Sequence, residues 1–186
     1  MPETIPGELA RRIRLVVLDV DGVLTDGGVF MGRTAAGETI EFKRFEITDQ
    51  LGIKLLQWAG LIVVFVSGRV SGANAARAAE LDCGCYEGPG GHKLEIVERL
   101  HAEHGVGWAE TACICDDLAD LPILGRAALP VAVANAVPEV RAVAKWQTTR
   151  RGGDGAVREL AEALLRARGD YVERIDDYVR QRGGRG

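Results

Sequence analysis

The 186-residue sequence has few aromatic residues, no excess of positive charge and no long apolar segment. Its 27 acidic side chains outnumber the 23 basic ones, and the net charge of −4 makes binding to nucleic acid or to an anionic membrane unexpected. The longest apolar stretches, such as 61–66, are far shorter than the roughly 20 residues that span a bilayer. Because the polar N-terminus also lacks the apolar part of a signal peptide, we expect a soluble, cytoplasmic protein.

The chain does contain enough apolar residues for one ordinary core. Hydrophobic residues make up 47% of the sequence and charged residues 27%, which is typical of a single globular domain over residues 1–186. Glycine is in excess, with 24 residues spread between apolar runs where tight turns are expected.

The four cysteines form two C-x-C pairs, Cys83 with Cys85 and Cys113 with Cys115. Structural zinc sites use C-x2-C or longer spacings, and both pairs lie in segments predicted to be strands, where small thiols are commonly buried. We therefore predict free, buried thiols. A four-thiolate zinc site or a pair of disulfides is the alternative.

Short runs rich in valine and isoleucine alternate along the chain with segments of helical periodicity. This alternation is typical of βαβ units and predicts an α/β fold with a parallel sheet. The predicted strands are 14–20, 61–67, 83–86, 112–115 and 129–133. The predicted helices are 50–59, capped by Asp49, and 72–81, 92–104, 138–144 and 155–168.

Two segments interrupt this pattern. Residues 29–31 and 38–42 have no helical period and are predicted to form a β-hairpin, within an insertion at about 29–47. Near the end of the chain, apolar residues between Tyr171 and Val179 recur at helical spacing, in a C-terminal tail at about 170–186. That helix either packs on its own domain or contacts a neighbouring subunit.

Acidic residues follow two of the predicted strands. Asp19 and Asp21 come after the first strand, and Asp116, Asp117 and Asp120 come after the fourth. Carboxylates at the end of a buried strand are costly unless a metal or a cationic side chain neutralises them. Since oxygen ligands at this density suit Mg²⁺, the two clusters predict a magnesium site.

Two further segments carry groups that bind anions. Ser67, Gly68 and Arg69 end the second strand, where a hydroxyl and backbone N–H groups at a strand–helix junction are suited to an anion. Lys93 lies at the start of a predicted helix, where the helix dipole disfavours a cation, so a fixed anion nearby is expected. Leu94 stands where a phosphate-binding Walker loop has Ser or Thr, which excludes that motif.

The order D-x-D-G-V-L-T, S-G-R, an isolated lysine and D-D-x-x-D closely resembles the haloacid dehalogenase-like phosphatase superfamily. Segments 45–54, 67–71 and 152–159 are similar to more specific motifs of the 3-deoxy-manno-octulosonate 8-phosphate phosphatase family. Gln50, His92 and Cys115 depart from that family's pattern, and we expect Gln50 and His92 near the substrate entrance.

The resemblance implies a Rossmann-like three-layer sandwich with a minimal cap and a protruding hairpin. The parallel sheet would have the order 5-4-1-2-3 in the numbering of the five predicted strands. The two cysteine pairs would then lie three strand spacings apart, roughly 14 Å at ~4.8 Å each, too far for thiolates to share a zinc ion.

The resemblance also implies a role for each acidic residue. Asp19 would attack phosphorus and form an aspartyl phosphate, and Asp21 would act as general acid and then as general base. Mg²⁺ would be held by Asp19, the backbone carbonyl of Asp21 and Asp116, with Asp117 and Asp120 as supporting groups.

The remaining residues would bind the substrate. Ser67 and Lys93 would contact the phosphoryl oxygens, while Arg69 and Arg77, with Gly68, would bind a substrate carboxylate. The implied substrate is a phosphorylated 2-keto-3-deoxy sugar acid of lipopolysaccharide biosynthesis. A nonulosonate 9-phosphate is one alternative, and a non-catalytic oligomeric binding subunit is another. The implied assembly is a homotetramer in which each hairpin covers a neighbour's site.

Overall fold

The computed structural model describes residues 4–88 and 90–184. Its strands are β1 (Leu15–Leu18), β2 (Phe30–Arg33), β3 (Thr39–Phe42), β4 (Ile62–Ser67), β5 (Gly84–Glu87), β6 (Thr111–Cys115), β7 (Leu129–Ala132) and β8 (Trp146–Gln147). Its helices are α1 (Gly7–Arg12), α2 (Ile47–Trp58), α3 (Gly72–Glu80), α4 (Lys93–His104), α5 (Leu121–Leu124), α6 (Pro138–Val143), α7 (Ala156–Arg168) and α8 (Tyr171–Gln181).

The main sheet is parallel and has the order β5-β4-β1-β6-β7-β8. The five predicted strands lie in the predicted order, and the α/β class is confirmed. The order differs by one strand, because β8 pairs with β7 at the edge through Trp146 opposite Val131. This strand has only two residues and no apolar run, so the sequence pattern did not indicate it.

The core lies around the central strands and the helices that cover them. Every residue of β1 is buried, as expected for a parallel strand covered on both faces. Helix α7 buries one apolar face and packs closely on α2, where a Cβ at Gly52 would lie 2.9 Å from Arg158 Cα. The close approach of α7 to α2 therefore depends on the absence of a side chain at Gly52.

Helix α2 begins earlier than predicted. Its N-cap is Glu46, whose Oε1 accepts a hydrogen bond from Thr48 N at 3.2 Å, so the prediction of Asp49 as the cap was wrong. Asp49 is instead buried in the first turn, and its Oδ1 accepts a hydrogen bond from Arg158 N at 2.7 Å. Asp49 thus joins α2 to the start of α7.

The predicted hairpin is confirmed as a separate antiparallel pair, β2 with β3. Phe30 lies opposite Phe42, and their side chains are 68% and 61% exposed. A bridge between Thr25 and Phe45 closes the base of the insertion. The hairpin therefore presents a large apolar face to solvent in this chain.

The predicted tail helix is α8, which packs on α7 and α2 of its own chain. The rings of Trp58 and Tyr178 lie 6.0 Å apart, and Arg174 donates a hydrogen bond to Trp58 O at 3.2 Å. The last two residues of the predicted tail, 185–186, lie outside the described residues. None of the helices in the described ranges is long and apolar enough to cross a bilayer.

All four cysteines are free thiols, as predicted, but only Cys113 and Cys115 are buried, whereas Cys83 and Cys85 are half-buried. Cys85 lies in β5 and Cys83 immediately precedes that strand, whereas Cys113 and Cys115 lie in β6, and β4 and β1 separate the two strands. Three strand spacings, roughly 14 Å, exclude a zinc ion shared by the two pairs. Burial raises the pKa of Cys83 to about 11, so this thiol is uncharged at neutral pH.

Candidate active site

The register of the central strands brings the predicted functional residues to one edge of the sheet. Leu18 of β1 pairs with Phe65 of β4 and with Ile114 of β6. Asp19 follows directly, and its backbone N donates a hydrogen bond to Ile114 O at 3.2 Å. Ser67 and Asp116 therefore leave their strands beside Asp19, as expected for the carboxyl ends of parallel strands.

Three carboxylates and one lysine form a buried cluster at this edge. Asp19, Asp116 and Asp120 each offer one oxygen, and these oxygens lie within 4.8 Å of one another. Lys93 Nζ lies 2.5 Å from Asp19 Oδ1 and 2.5 Å from Asp120 Oδ1. Asp19 and Lys93 are each 5% exposed, so these charges are shielded from water. Asp120, predicted only as a supporting group, lies within the cluster itself.

Burial and mutual repulsion perturb the titration of this cluster. Burial raises the pKa of Asp19 well above its usual value although Lys93 opposes the shift, and burial together with Asp120 raises the pKa of Asp116 to about 6. Burial alone would lower the pKa of Lys93, but the Asp19 and Asp120 carboxylates raise it above its usual value. Three carboxylates facing one ammonium leave an excess of negative charge that fits a hard divalent cation.

Two glycines allow the loop after Asp19 to approach its neighbours. Gly22 has a φ of +96°, and a Cβ there would lie 2.0 Å from Asp116 Oδ2. A Cβ on Gly152 would lie 1.7 Å from Gly22 O. Asn135 joins the same two segments, because its Nδ2 donates to Gly22 O at 3.1 Å and its Oδ1 accepts from Gly152 N at 2.7 Å. Gly152, in the segment before α7, therefore allows that segment to pack against the loop that carries Asp19 and Asp21.

The turn after β4 meets the glycine segment before α4. Ser67 is buried, and its Oγ accepts a hydrogen bond from Arg69 N at 3.1 Å and donates one to Arg69 O at 3.0 Å. A Cβ on Gly68 would lie 3.3 Å from Gly91 Cα. The residues predicted to bind an anion thus lie next to the segment that leads to Lys93.

A cavity of about 360 Å³ opens above the cluster, a size suited to a small molecule. It is lined by backbone and side chains that include Asp19, Asp21, Gly68, Arg69, Lys93, Asp116, Asp117 and Asp120. Asp117 also accepts a hydrogen bond from Leu118 N at 2.7 Å and so caps the short turn 118–120.

Three residues predicted near the substrate are not among those that line this cavity. Arg77 is on α3, where it pairs with Glu80 at 2.7 Å. Gln50 lines a groove between α2 and α8, and His92 lines another groove beside Arg99. Neither Gln50 nor His92 lines the cavity that contains Asp19, although Gly91 and Lys93, which flank His92, both line it. The expectation that Gln50 and His92 lie near the substrate entrance stays a prediction.

Sequence reasoning missed two charged residues, Glu41 in β3 and Lys43 directly after it. The Lys43 side chain is fully buried, and its Nζ lies 2.7 Å from Asp21 Oδ1 and donates to Asn74 Oδ1 at 2.9 Å. Glu41 accepts a hydrogen bond from Arg69 at 2.8 Å. The signal was present, because Glu41 and Lys43 flank the apolar Phe42, and alternate residues of extended backbone point to the same side.

Comparison with known proteins identifies the family of this chain. The profile of the haloacid dehalogenase-like hydrolase family matches residues 88–160, a stretch that contains Lys93, Asp116 and Asp120. The chain is also 37% identical over 165 residues to the 3-deoxy-D-manno-octulosonate 8-phosphate phosphatase KdsC of Escherichia coli (strain K12), covering 88% of this chain and 85% of that protein. The chain belongs to the 3-deoxy-D-manno-octulosonate 8-phosphate phosphatase family and is a phosphatase.

Solved structures agree with this assignment. The phosphatase of Moraxella catarrhalis, solved with a magnesium ion, a phosphate ion and KDO, has a TM-score of 0.85, with 34% identity over 92% of this chain and 97% of that one. The cobalt-bound phosphatase of Haemophilus influenzae has a TM-score of 0.79, with 35% identity over 88% of this chain and 93% of that one. The predicted Mg²⁺ cofactor agrees with the metals in these relatives and with the acidic cluster.

Proposed function

We propose that this phosphatase hydrolyses the phosphomonoester of a 2-keto-3-deoxy sugar acid, 3-deoxy-D-manno-octulosonate 8-phosphate, in lipopolysaccharide biosynthesis. One observation carries the proposal: the cavity has cations at two depths. Lys93 lies at its base with a 5% exposed side chain, and Arg69 lies at its mouth with a 49% exposed side chain. A ligand with a phosphate at one end and a carboxylate at the other matches both.

In the proposed reaction, a carboxylate oxygen of Asp19 attacks phosphorus as the bond to the sugar oxygen breaks, which leaves an aspartyl phosphate. Asp21 donates a proton to the departing sugar oxygen. Asp21 then takes a proton from the water that hydrolyses the intermediate, which restores both carboxyl groups to their starting states. Lys93, 2.5 Å from Asp19, and Ser67 offset the charge on the phosphoryl oxygens.

The proposed Mg²⁺ ligands are Asp19, the backbone carbonyl of Asp21 and Asp116, with Asp117 and Asp120 as supporting groups. The excess of carboxylates over ammonium groups in the cluster supports this assignment. When bound, Mg²⁺ neutralises charge on the phosphoryl group and on the attacking carboxylate.

Arg69 is the proposed ligand of the substrate carboxylate, beside Gly68, because a guanidinium binds a carboxylate through two parallel hydrogen bonds. It lines the cavity, whereas Arg77 is paired with Glu80 on α3. The predicted role of Arg77 stays a prediction.

The proposed assembly is a homotetramer in which each hairpin covers the cavity of a neighbour. Phe30 and Phe42 support it, because a two-stranded hairpin with so much exposed apolar surface needs cover in water. Closure by a neighbour would also shield the cavity from water. A single domain over residues 1–186 and a cytoplasmic location stay predictions.

A steady-state assay with Mg²⁺ tests the substrate. We expect kcat/KM for 3-deoxy-D-manno-octulosonate 8-phosphate to exceed that for hexose phosphates, and Arg69→Gln to raise KM for the sugar acid roughly tenfold or more. Arg126→Gln is the matched control, because Arg126 pairs with Glu98 outside the cavity. Equal kcat/KM values for sugar acid and hexose phosphates would contradict the proposal.

A further inference from the structure

Glu41 links the hairpin to the mouth of the cavity. Phe42 points outward, so its neighbour Glu41 lies on the opposite face of β3 and faces the turn after β4. Glu41 Oε2 accepts a hydrogen bond from Arg69 Nη2 at 2.8 Å, and Oε1 accepts one from Ser71 Oγ at 2.7 Å. Lys43 Nζ lies 3.5 Å from the same Oε1.

The arginine that Glu41 contacts is one of the residues that line the cavity. The carboxylate is ionised at neutral pH, because the hydrogen bond from Ser71 and the charges of Lys43 and Arg69 hold the pKa of Glu41 below its usual value. An ionised carboxylate from the protein therefore contacts Arg69 at the place where a second carboxylate, from a ligand, would bind.

We propose that Glu41 competes with the substrate carboxylate for Arg69. Only a ligand that carries its own carboxylate then displaces Glu41 from this arginine. The inference rests on the proposed function, because it uses the carboxylate of the proposed substrate. A ligand carboxylate that replaces Glu41 leaves Arg69 paired. A phosphate ester without a carboxylate has no group that replaces Glu41, so the contact between Glu41 and Arg69 persists.

The displaced Glu41 would keep two partners. Ser71 and Lys43 both contact Oε1, whereas Arg69 contacts Oε2, so loss of the Arg69 contact does not detach the hairpin from the turn. Since Arg69 is half exposed, the contact is a modest one, and we expect removal of the competing charge to change KM about three- to tenfold.

The test compares Glu41→Gln with Glu38→Gln, an equal change of charge on an exposed residue of the same hairpin. We expect Glu41→Gln to lower KM for the sugar-acid phosphate about three- to tenfold with little change in kcat. KM for p-nitrophenyl phosphate, which has no carboxylate, should not change. Glu38→Gln should leave both values as in the wild type. A higher KM for the sugar-acid phosphate, or equal shifts for both esters, would mean that Glu41 only positions the turn.

A second measurement separates this inference from the proposed function. Gluconate, a sugar acid without phosphate, is tested as an inhibitor of p-nitrophenyl phosphate hydrolysis. A lower inhibition constant in Glu41→Gln than in the wild type and in Glu38→Gln supports competition at Arg69, even if another sugar acid proves to be the substrate. An unchanged inhibition constant overturns the inference whichever substrate is preferred.

Discussion

The carboxyl edge of the sheet and the β2–β3 hairpin hold their charges in different ways. At the sheet edge, Asp19 and Lys93 are buried and follow strands or begin helices whose positions are set by the core. At the hairpin, Glu41 contacts the half-exposed Arg69 through side chains alone. The first arrangement is fixed by the fold, whereas the second can respond to a ligand.

The difference predicts unequal consequences of mutation. Removing one partner of a buried ion pair leaves an uncompensated charge, which costs roughly 3–5 kcal/mol, whereas exposed pairs contribute about 0–1 kcal/mol. Variants at the sheet edge should therefore abolish turnover or unfold the chain. Variants at the hairpin should change affinity and assembly.

The largest effect is expected from Asp19→Asn. The amide keeps the shape of the side chain but is not a nucleophile, so we expect kcat to fall by about three orders of magnitude or more. The measurement is steady-state hydrolysis with Mg²⁺, with circular dichroism to verify the fold. Asp26→Asn, at an exposed position of the same loop and outside the cluster, should remain active. Activity of Asp19→Asn near that of the wild type would refute the assignment of the nucleophile.

Gly152→Ala should disrupt the same edge from behind. A Cβ on Gly152 would lie 1.7 Å from Gly22 O, and since both atoms belong to backbone, the loop that carries Asp19 and Asp21 must move. We expect a loss of roughly 2–4 kcal/mol in unfolding free energy and a fall in kcat of at least tenfold. Urea unfolding measures the change in unfolding free energy, and steady-state kinetics measure the change in kcat. Gly107→Ala, where a Cβ meets nothing within 4 Å, is the control and should change neither.

The elements that the sequence predicted well are those with a strong period. Buried parallel strands appear as continuous apolar runs, and α7 repeats its apolar residues at helical spacing, so five strands of the main sheet and this helix were predicted to within a few residues. The start of α2 and the strand β8 were not. A cap depends on local geometry that several residues can provide, and β8 exists only because β7 offers a free edge.

The candidate site divides in the same way. The carboxylates after β1 and β6 were found because acidic residues after buried strands are hard to explain by packing. Glu41 and Lys43 were missed, because their partners Arg69 and Asn74 lie about 30 residues away and only the fold brings them together. The role of Gly152 could not be predicted from the sequence for the same reason, because Gly152 contacts Gly22, some 130 residues earlier.

Replacing Phe30 and Phe42 together by serine should affect the hairpin without altering any carboxylate of the cluster. If these exposed rings bury one another between subunits, we expect dissociation of the tetramer and a fall in kcat/KM of about tenfold. Light scattering measures the mass of the assembly, and steady-state kinetics measure kcat/KM. Val143→Ser, which removes an exposed apolar side chain of α6, should change neither. A fully active wild-type monomer at micromolar concentration would contradict the proposed assembly.

Asp49 is buried like Asp19 but has no ammonium or guanidinium partner among the described residues. Its Oδ1 accepts the hydrogen bond from Arg158 N, while Oδ2 is buried without a partner in the described ranges. Burial raises the pKa of Asp49 to about 6 from a usual value of 3.8, although the Arg158 N–H opposes the shift.

The sign of the resulting pH dependence follows from that shift. A carboxyl whose pKa is higher in the folded state than in the unfolded state stabilises the fold least when ionised, so its contribution is most favourable below about pH 4 and is lost as the pH rises through 6. Asp49→Asn removes this dependence. We expect the unfolding free energy of the variant minus that of the wild type to be about 1 kcal/mol larger at pH 8 than at pH 5, as measured by urea unfolding at both values. Glu8→Gln, on an exposed residue of α1, should show no such gain. Because the test is a difference between two pH values, any constant effect of the amide on packing cancels, and an equal stability difference at pH 5 and pH 8 would show that Asp49 is not ionised at a cost in the folded protein.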